Sequence, residues 1–136
     1  MLNVAFYGLS GACTRMSKDE IETGGHIKGP RLVVTRGETS GRVFKLEPGN
    51  NLIGRWDPDS GSFPEVDLEE EDVEAKVSRK HAVINVAGEV VTLEDIGSLN
   101  GTYVNRGQRL EERQKIELSH GDEIIIGKVF LRFEND

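Results

Sequence analysis

The sequence predicts an all-β fold, an antiparallel β-sandwich behind a flexible N-terminal tail, and three observations support it. From Arg31 onward the apolar residues come in short runs separated by turn residues. In the middle of the chain these runs alternate: Ala82, Ile84 and Val86 share one face, as do Val91 and Leu93 of the next run, with polar residues opposite. No stretch has a convincing amphipathic helical period, and sixteen glycines against four prolines suit a chain that turns often. Short runs between turns favour a sandwich over a parallel α/β sheet.

Residues 1–29 have no sustained period. Polar and small residues dominate from Thr14, and Gly24-Gly25 and Gly29-Pro30 interrupt any element that begins there, so a tail is expected. A single helical turn at residues 17–22, capped by Ser17 and Glu20, is too short to persist alone. The domain is expected over residues 30–136. Its strands should lie at residues 31–35, 42–47, around Asn51–Ile53, then at 81–86, 89–95, 102–105, 114–118, 122–127 and 129–133. The last two should pair across Gly127-Lys128.

One stretch departs from this rhythm. Residues 56–76 form a long acidic connection, which invites three readings: a solvated excursion, a flank that repels acidic ligand residues, or a calcium loop. The calcium reading rests on Asp57-x-Asp59-x-Gly61. It fails the EF-hand spacing, because the glycine comes too early and the last ligand position falls on Leu68.

A net charge of −7 argues against a general binder of nucleic acid or anionic membrane, which would need a basic face. Cys13 is the only cysteine, so no internal disulfide can form, which fits a reducing, cytoplasmic setting. No run is long enough for a membrane-spanning helix. Any anion site must therefore be local, made by a few cations on an acidic surface.

Three loop tips could make such a site. Strands 81–86 and 89–95 run up and back, so the loops before and after them emerge at one end of the sheet. The first carries Ser78, Arg79 and Lys80 and closes on His81; the second carries Ser98, Leu99, Asn100 and Gly101. Gly54-Arg55 ends the run further upstream. Arginine suits a phosphate monoester because its planar fork bonds two oxygens and keeps its charge. Gly54 lets a loop or ligand approach closely. Arg55 could equally be a surface arginine packed on Trp56.

The Ser78 hydroxyl can donate to an oxyanion, and Arg79 adds charge. His81 is placed to brace the Ser78 loop through a ring N–H. Asn100 offers donors and an acceptor to the backbone of an extended peptide, or else Asn100-Gly101 is merely a turn.

In this order, Gly54-Arg55, Ser78-x-x-His81 and Asn100-Gly101-Thr102, followed by the Gly121-Asp122 turn, give the chain its resemblance to a forkhead-associated (FHA) domain over roughly residues 31–134. The resemblance implies an FHA/SMAD-like sandwich of about eleven strands that binds phosphothreonine peptides at its apical loops. It makes Arg55, Ser78 and Arg79 the phosphate contacts and Asn100 the holder of the peptide backbone. Gly54, His81, Gly101 and Thr102 would shape the loops.

The threonine that such domains often place before the asparagine is Leu99 here, leaving Ser98 as a candidate replacement. Three or four charge-assisted hydrogen bonds, less the cost of ordering a peptide, lead to roughly micromolar affinity. A phosphorylated partner and a Ser/Thr protein kinase are implied, with no cofactor, metal, nucleic acid or membrane.

The plan of tail plus one domain resembles small bacterial single-FHA-domain regulators, in which a phosphorylated tail threonine folds back into the domain's own site. The tandem threonines and downstream aromatic of those regulators are missing here. Thr23, after Asp19-Glu20-Ile21-Glu22, is the candidate phosphosite, with an inert tail as the alternative. Two rival functions are a phosphate-independent interaction scaffold using the sheet face and a hydrolase built on Ser78, His81 and Asp95. The hydrolase lacks a nucleophile-elbow sequence.

Overall fold

Alternating burial organises residues 28–136 into ten strands. The structure, a computed structural model, describes residues 28–136. Nearly all of the expected tail, including Thr23, the turn at residues 17–22, Thr14 and Cys13, lies outside the described residues.

The strands are β1 (Arg31–Val34), β2 (Val43–Lys45), β3 (Gly49–Gly54), β4 (Val66–Asp67), β5 (Lys80–Ala87), β6 (Val90–Asp95), β7 (Thr102–Val104), β8 (Lys115–Glu117), β9 (Glu123–Ile126) and β10 (Val129–Glu134). They form two five-stranded sheets, ordered β2-β1-β10-β9-β7 and β4-β3-β5-β6-β8. Every pairing is antiparallel except β3 with β4. The β9–β10 hairpin turns at Gly127-Lys128 as expected, and β5–β6 turns at Gly88-Glu89.

The core lies between the sheets. Leu32, Val34 and Phe44 meet Ile124, Ile126, Leu131 and Phe133 from one sheet, and Ile53, Ala82, Ile84 and Leu93 from the other. Burying one such side chain stabilises the fold by roughly 1.5–3 kcal/mol, so the alternation dictates the register. Asn51 is a polar exception inside the core. Its Oδ1 accepts from Glu47 N at 2.9 Å, and its Nδ2 donates to the carbonyls of Glu47, Gly49 and Ile84. It thereby fixes the point where the chain leaves β2 and enters the second sheet.

Register also sets the functional end. Gly54 pairs with Lys80 across a bulge, and Ala82 pairs with Asp95. The end of β3, the start of β5 and the end of β6 therefore lie at one level, where three loops emerge.

The connection 56–76 is not the solvated excursion that its carboxylates suggested. Val66 and Leu68 are fully buried in the core, and Ser62 and Asp72 are buried beneath the surface. The short strand β4 adds it to the sheet edge. Burial of the two apolar side chains, Val66 and Leu68, holds the connection against the sheet although carboxylates dominate its surface. Asp57-Pro58-Asp59-Ser60-Gly61 forms a 3₁₀ turn over Pro58–Ser60 closed by Gly61 at φ +76°. Among the described residues no cluster of His, Cys, Asp or Glu is placed to hold a metal. None of their helices is long and apolar enough to cross a membrane.

Candidate functional site

Arg55, Ser78, Arg79 and Asn100 line one open cleft of about 280 Å³, together with Ala75, Lys76, Val77 and Leu99. The bonds that bring them together run mostly through the backbone. The amide of Arg55 donates to the Arg79 carbonyl at 3.1 Å. Gly54 permits this approach, since a Cβ at that position would lie 1.9 Å from the same carbonyl oxygen. The neighbour that needs the missing side chain is thus the Ser78 loop.

The Arg55 side chain is anchored at its root and free at its tip. Nε donates to the Val77 carbonyl at 2.7 Å and lies 3.8 Å from Oδ2 of Asp72. Asp72 in turn accepts from the amides of Lys76 and Val77 at 2.7 and 3.0 Å, which turns the chain beneath the arginine. Among the described residues neither Nη of Arg55 makes a hydrogen bond, and the side chain is 36% exposed. That leaves the two-toothed end of the fork for a ligand.

Ser78 is similarly half-committed. Its Oγ accepts from the Leu99 amide at 3.1 Å, so its own proton remains available to donate. Asn100 Nδ2 donates to the Lys76 carbonyl at 3.1 Å. One of the N–H groups expected to serve an extended peptide is spent inside the protein, which leaves the acceptor oxygen and the second N–H for a ligand. Arg79 makes an ion pair with Asp57, Nε to Oδ2 at 3.3 Å.

His81 is fully buried and joins the two loops. The Ser78 amide, which can only donate, approaches Nδ1 at 3.0 Å, so the ring proton sits on Nε2 and is given to the Gly101 carbonyl at 2.9 Å. The expected brace exists with reversed polarity: the ring accepts from the Ser78 loop and donates to the other. Burial holds its pKa below the ordinary imidazole value, against the opposing pull of the Gly101 bond and of Asp95 and Asp72.

The same geometry removes the hydrolase arrangement. Both ring nitrogens are engaged by backbone groups, so neither can act as a base toward the Ser78 hydroxyl.

Asp95 is instead the hub of the second loop. Oδ1 accepts from the amides of Gly97 and Ser98 at 2.8 and 2.9 Å; Oδ2 accepts from the hydroxyls of Ser98 at 2.5 Å and Thr102 at 2.7 Å. Burial pushes its pKa up, but these bonds outweigh burial and hold it below the ordinary carboxylate value.

Ser98 is therefore turned inward, accepting also from the Gly101 amide at 3.0 Å, and does not replace the missing threonine at the cleft. Thr102 is fully buried, and Gly101 adopts φ +96°. Arg109 completes the loop by donating from Nη2 to the carbonyls of Ser98 and Leu99 at 2.8 and 3.2 Å.

Sequence reasoning missed Lys76, Asp72, Arg109 and Ser62 as builders of this site. Ser62 Oγ lies 2.9 Å from the Arg55 carbonyl and 2.8 Å from that of Arg79, tying the two arginine-bearing segments together. No motif announces it. For Asp95 a signal was present: an aspartate three residues before Ser98 and two before Gly97 is the pattern of an Asx-capped loop.

The sequence profile of the FHA domain family matches residues 51–127. The chain is 42% identical over 104 residues to the oxoglutarate dehydrogenase inhibitor of Corynebacterium jeikeium, covering 76% of this chain and 63% of that protein. It is 40% identical over 102 residues to the glycogen accumulation regulator GarA of Mycolicibacterium smegmatis, covering 75% and 56% respectively. The chain thus spans less than two thirds of the length of these curated relatives.

Among solved structures it resembles an FHA domain studied for phosphothreonine-dependent interactions, with TM-score 0.63 and 30% identity over 80% of this chain and 98% of that one. It also resembles Mycobacterium tuberculosis EmbR in complex with a low-affinity phosphopeptide, with TM-score 0.62 and 27% identity over 83% of this chain and 26% of that one. Profile, relatives and architecture agree with the cleft's composition: the chain belongs to the FHA domain family.

Proposed function

We propose that this domain is a binding module that captures a phosphothreonine-bearing segment of a partner protein, with Arg55, Ser78 and Arg79 on the phosphate and Asn100 on the peptide backbone. The observation that carries this reading is the state of the cleft side chains. The Nη pair of Arg55, the Ser78 proton and the Asn100 carboxamide oxygen line this cleft unspent. A phosphothreonine carries about −1.5 to −2 charges at pH 7, which matches a cleft lined by Arg55, Lys76 and Arg79.

The domain signals by occupancy and not by catalysis. Relatives named as regulator and inhibitor support that role. A cytoplasmic setting, where Ser/Thr kinases act, suits it.

Calorimetric titration of a phosphothreonine peptide library tests the proposal. Selected peptides should bind at roughly micromolar Kd, and their dephosphorylated forms should not. Arg55→Ala should weaken binding by about 100-fold or more, since it removes two charge-assisted bonds, while leaving the melting transition cooperative. Retention of near wild-type affinity by Arg55→Ala would remove the arginine from the site.

A further inference from the structure

The large apolar side chains left exposed are not scattered over the surface. Among the described residues they are Trp56, Phe63, Val73, Val90 and Leu99. Val90 follows the β5–β6 turn at the far end of the sandwich; the other four stand on the loops that build the cleft. Isolated exposed apolar residues need no explanation, but several of them on the loops that build one cleft mark a surface that makes contacts.

These residues are held out by the fold. Leu99 is 80% exposed although its amide donates to Ser78 Oγ and its carbonyl accepts from Arg109. Trp56 and Phe63 are 51% and 54% exposed and stack edge-on, with ring centroids 5.1 Å apart and planes at 78°. Each aromatic is one residue from a tie to the cleft. Trp56 follows Arg55, and Phe63 follows Ser62, whose hydroxyl bridges the carbonyls of Arg55 and Arg79. The Trp56 amide is fixed to Asp67 Oδ1 at 3.2 Å, and Asp57 and Ser62 exchange two backbone hydrogen bonds at 2.9 Å each. The aromatic pair is thus carried on a turn tied to Arg79 through the Ser62 hydroxyl and the Asp57 ion pair, and Leu99 lines the cleft itself. Exposed Asp59, Glu69 and Glu74 on the same connection make its surroundings acidic.

We propose that Trp56, Phe63 and Leu99 form an apolar rim that receives the side chains flanking the phosphothreonine. The segment this domain selects would then carry apolar residues beside the phosphorylated threonine and avoid acidic ones. The inference rests on the phosphothreonine reading and specifies the class of segment. An extended peptide advances about 3.3 Å per residue, so the first few residues on either side of the phosphothreonine lie within reach of Leu99 in the cleft and of Trp56 beside Arg55. Burying the aromatic pair against them adds apolar area that phosphate contacts alone do not supply.

Trp56 is the only tryptophan in the chain, so its emission reports on the aromatic pair directly. Three phosphothreonine peptides differing only in their flanks (leucine, serine or aspartate) would be titrated, together with the unphosphorylated leucine peptide. The leucine-flanked peptide should bind about tenfold more tightly than the serine-flanked one, near the lower end of what burying one apolar side chain contributes, and the aspartate-flanked one most weakly. Only the leucine-flanked peptide should shift Trp56 emission to the blue. Trp56→Ala and Phe63→Ala should each narrow the gap between the leucine and serine peptides, whereas Val90→Ala should leave it intact. Phosphate-dependent binding with equal affinities and unmoved emission would overturn the rim and spare the phosphothreonine reading. Equal binding of the unphosphorylated peptide, or no binding of any, would overturn both.

Discussion

The carbonyl oxygen of Arg79 occupies the space that a side chain on Gly54 would need, 1.9 Å from where its Cβ would stand. That contact lets the Arg55 amide bond the same carbonyl, which ties the Arg55 segment to the loop that carries Ser78. The obstructing atom is backbone, so no rotamer change relieves it.

Gly54→Ala should therefore displace the Ser78 loop. The expected cost is about 1–3 kcal/mol of stability, as for other overpacked sites, read by urea denaturation. Phosphopeptide affinity should fall along with it even where the variant is fully folded.

His81 gives the domain an acid sensitivity whose sign follows from its depressed pKa. Above the ordinary value of 6.5 neither the folded nor the unfolded chain protonates it. As the pH drops below that value the unfolded state takes up the proton first, so stability falls by up to about 1.4 kcal/mol per pH unit until the folded pKa is passed. In His81→Gln this segment of the stability–pH curve should flatten. Denaturation midpoints between pH 7.5 and 5 for both proteins check it.

Asp95→Asn should cost about 2–4 kcal/mol, because an amide cannot accept from two hydroxyls and two backbone N–H groups at once. The wild-type carboxyl has a depressed pKa, so its contribution is complete above the ordinary value of 3.8 and is lost as the pH falls through its folded pKa. The difference in stability between the two proteins should shrink in that acid range, which thermal melts at pH 6 and below 3 would show.

In the proposed phosphate site Asp57 would compete with the ligand for Arg79, to which it is paired at 3.3 Å. Asp57→Asn should tighten phosphopeptide binding about two- to fivefold, in keeping with the small worth of an exposed ion pair, and more strongly at low salt. Asp59→Asn, the same charge change in the same turn, should have less effect. Titrations at two salt concentrations separate the local pair from general charge.

The sandwich and the members of its cleft were largely legible in the amino-acid order. Alternation at Ala82–Val86 and Val91–Leu93 is a local signal with period two, and the pair Gly127-Lys128 marks its hairpin within a few residues. The up-and-down path of β5 and β6 also sufficed to bring the Ser78 and Asn100 loops to one end.

Other features were decided only by tertiary contact. Ser62 bridges carbonyls 7 and 17 residues away, and Arg109 reaches carbonyls 10 and 11 residues back. Which His81 nitrogen carries the proton depends on the Ser78 amide facing it. The acidic connection became a strut because Val66 and Leu68 found room in the core, and Trp56 with Phe63 stayed outside because the bonds around Ser62 hold them there. Apolar alternation repeats along the chain and can be read from it. A hydrogen bond to a distant backbone carbonyl has no residue type as its partner, so it leaves no pattern until the chain is folded.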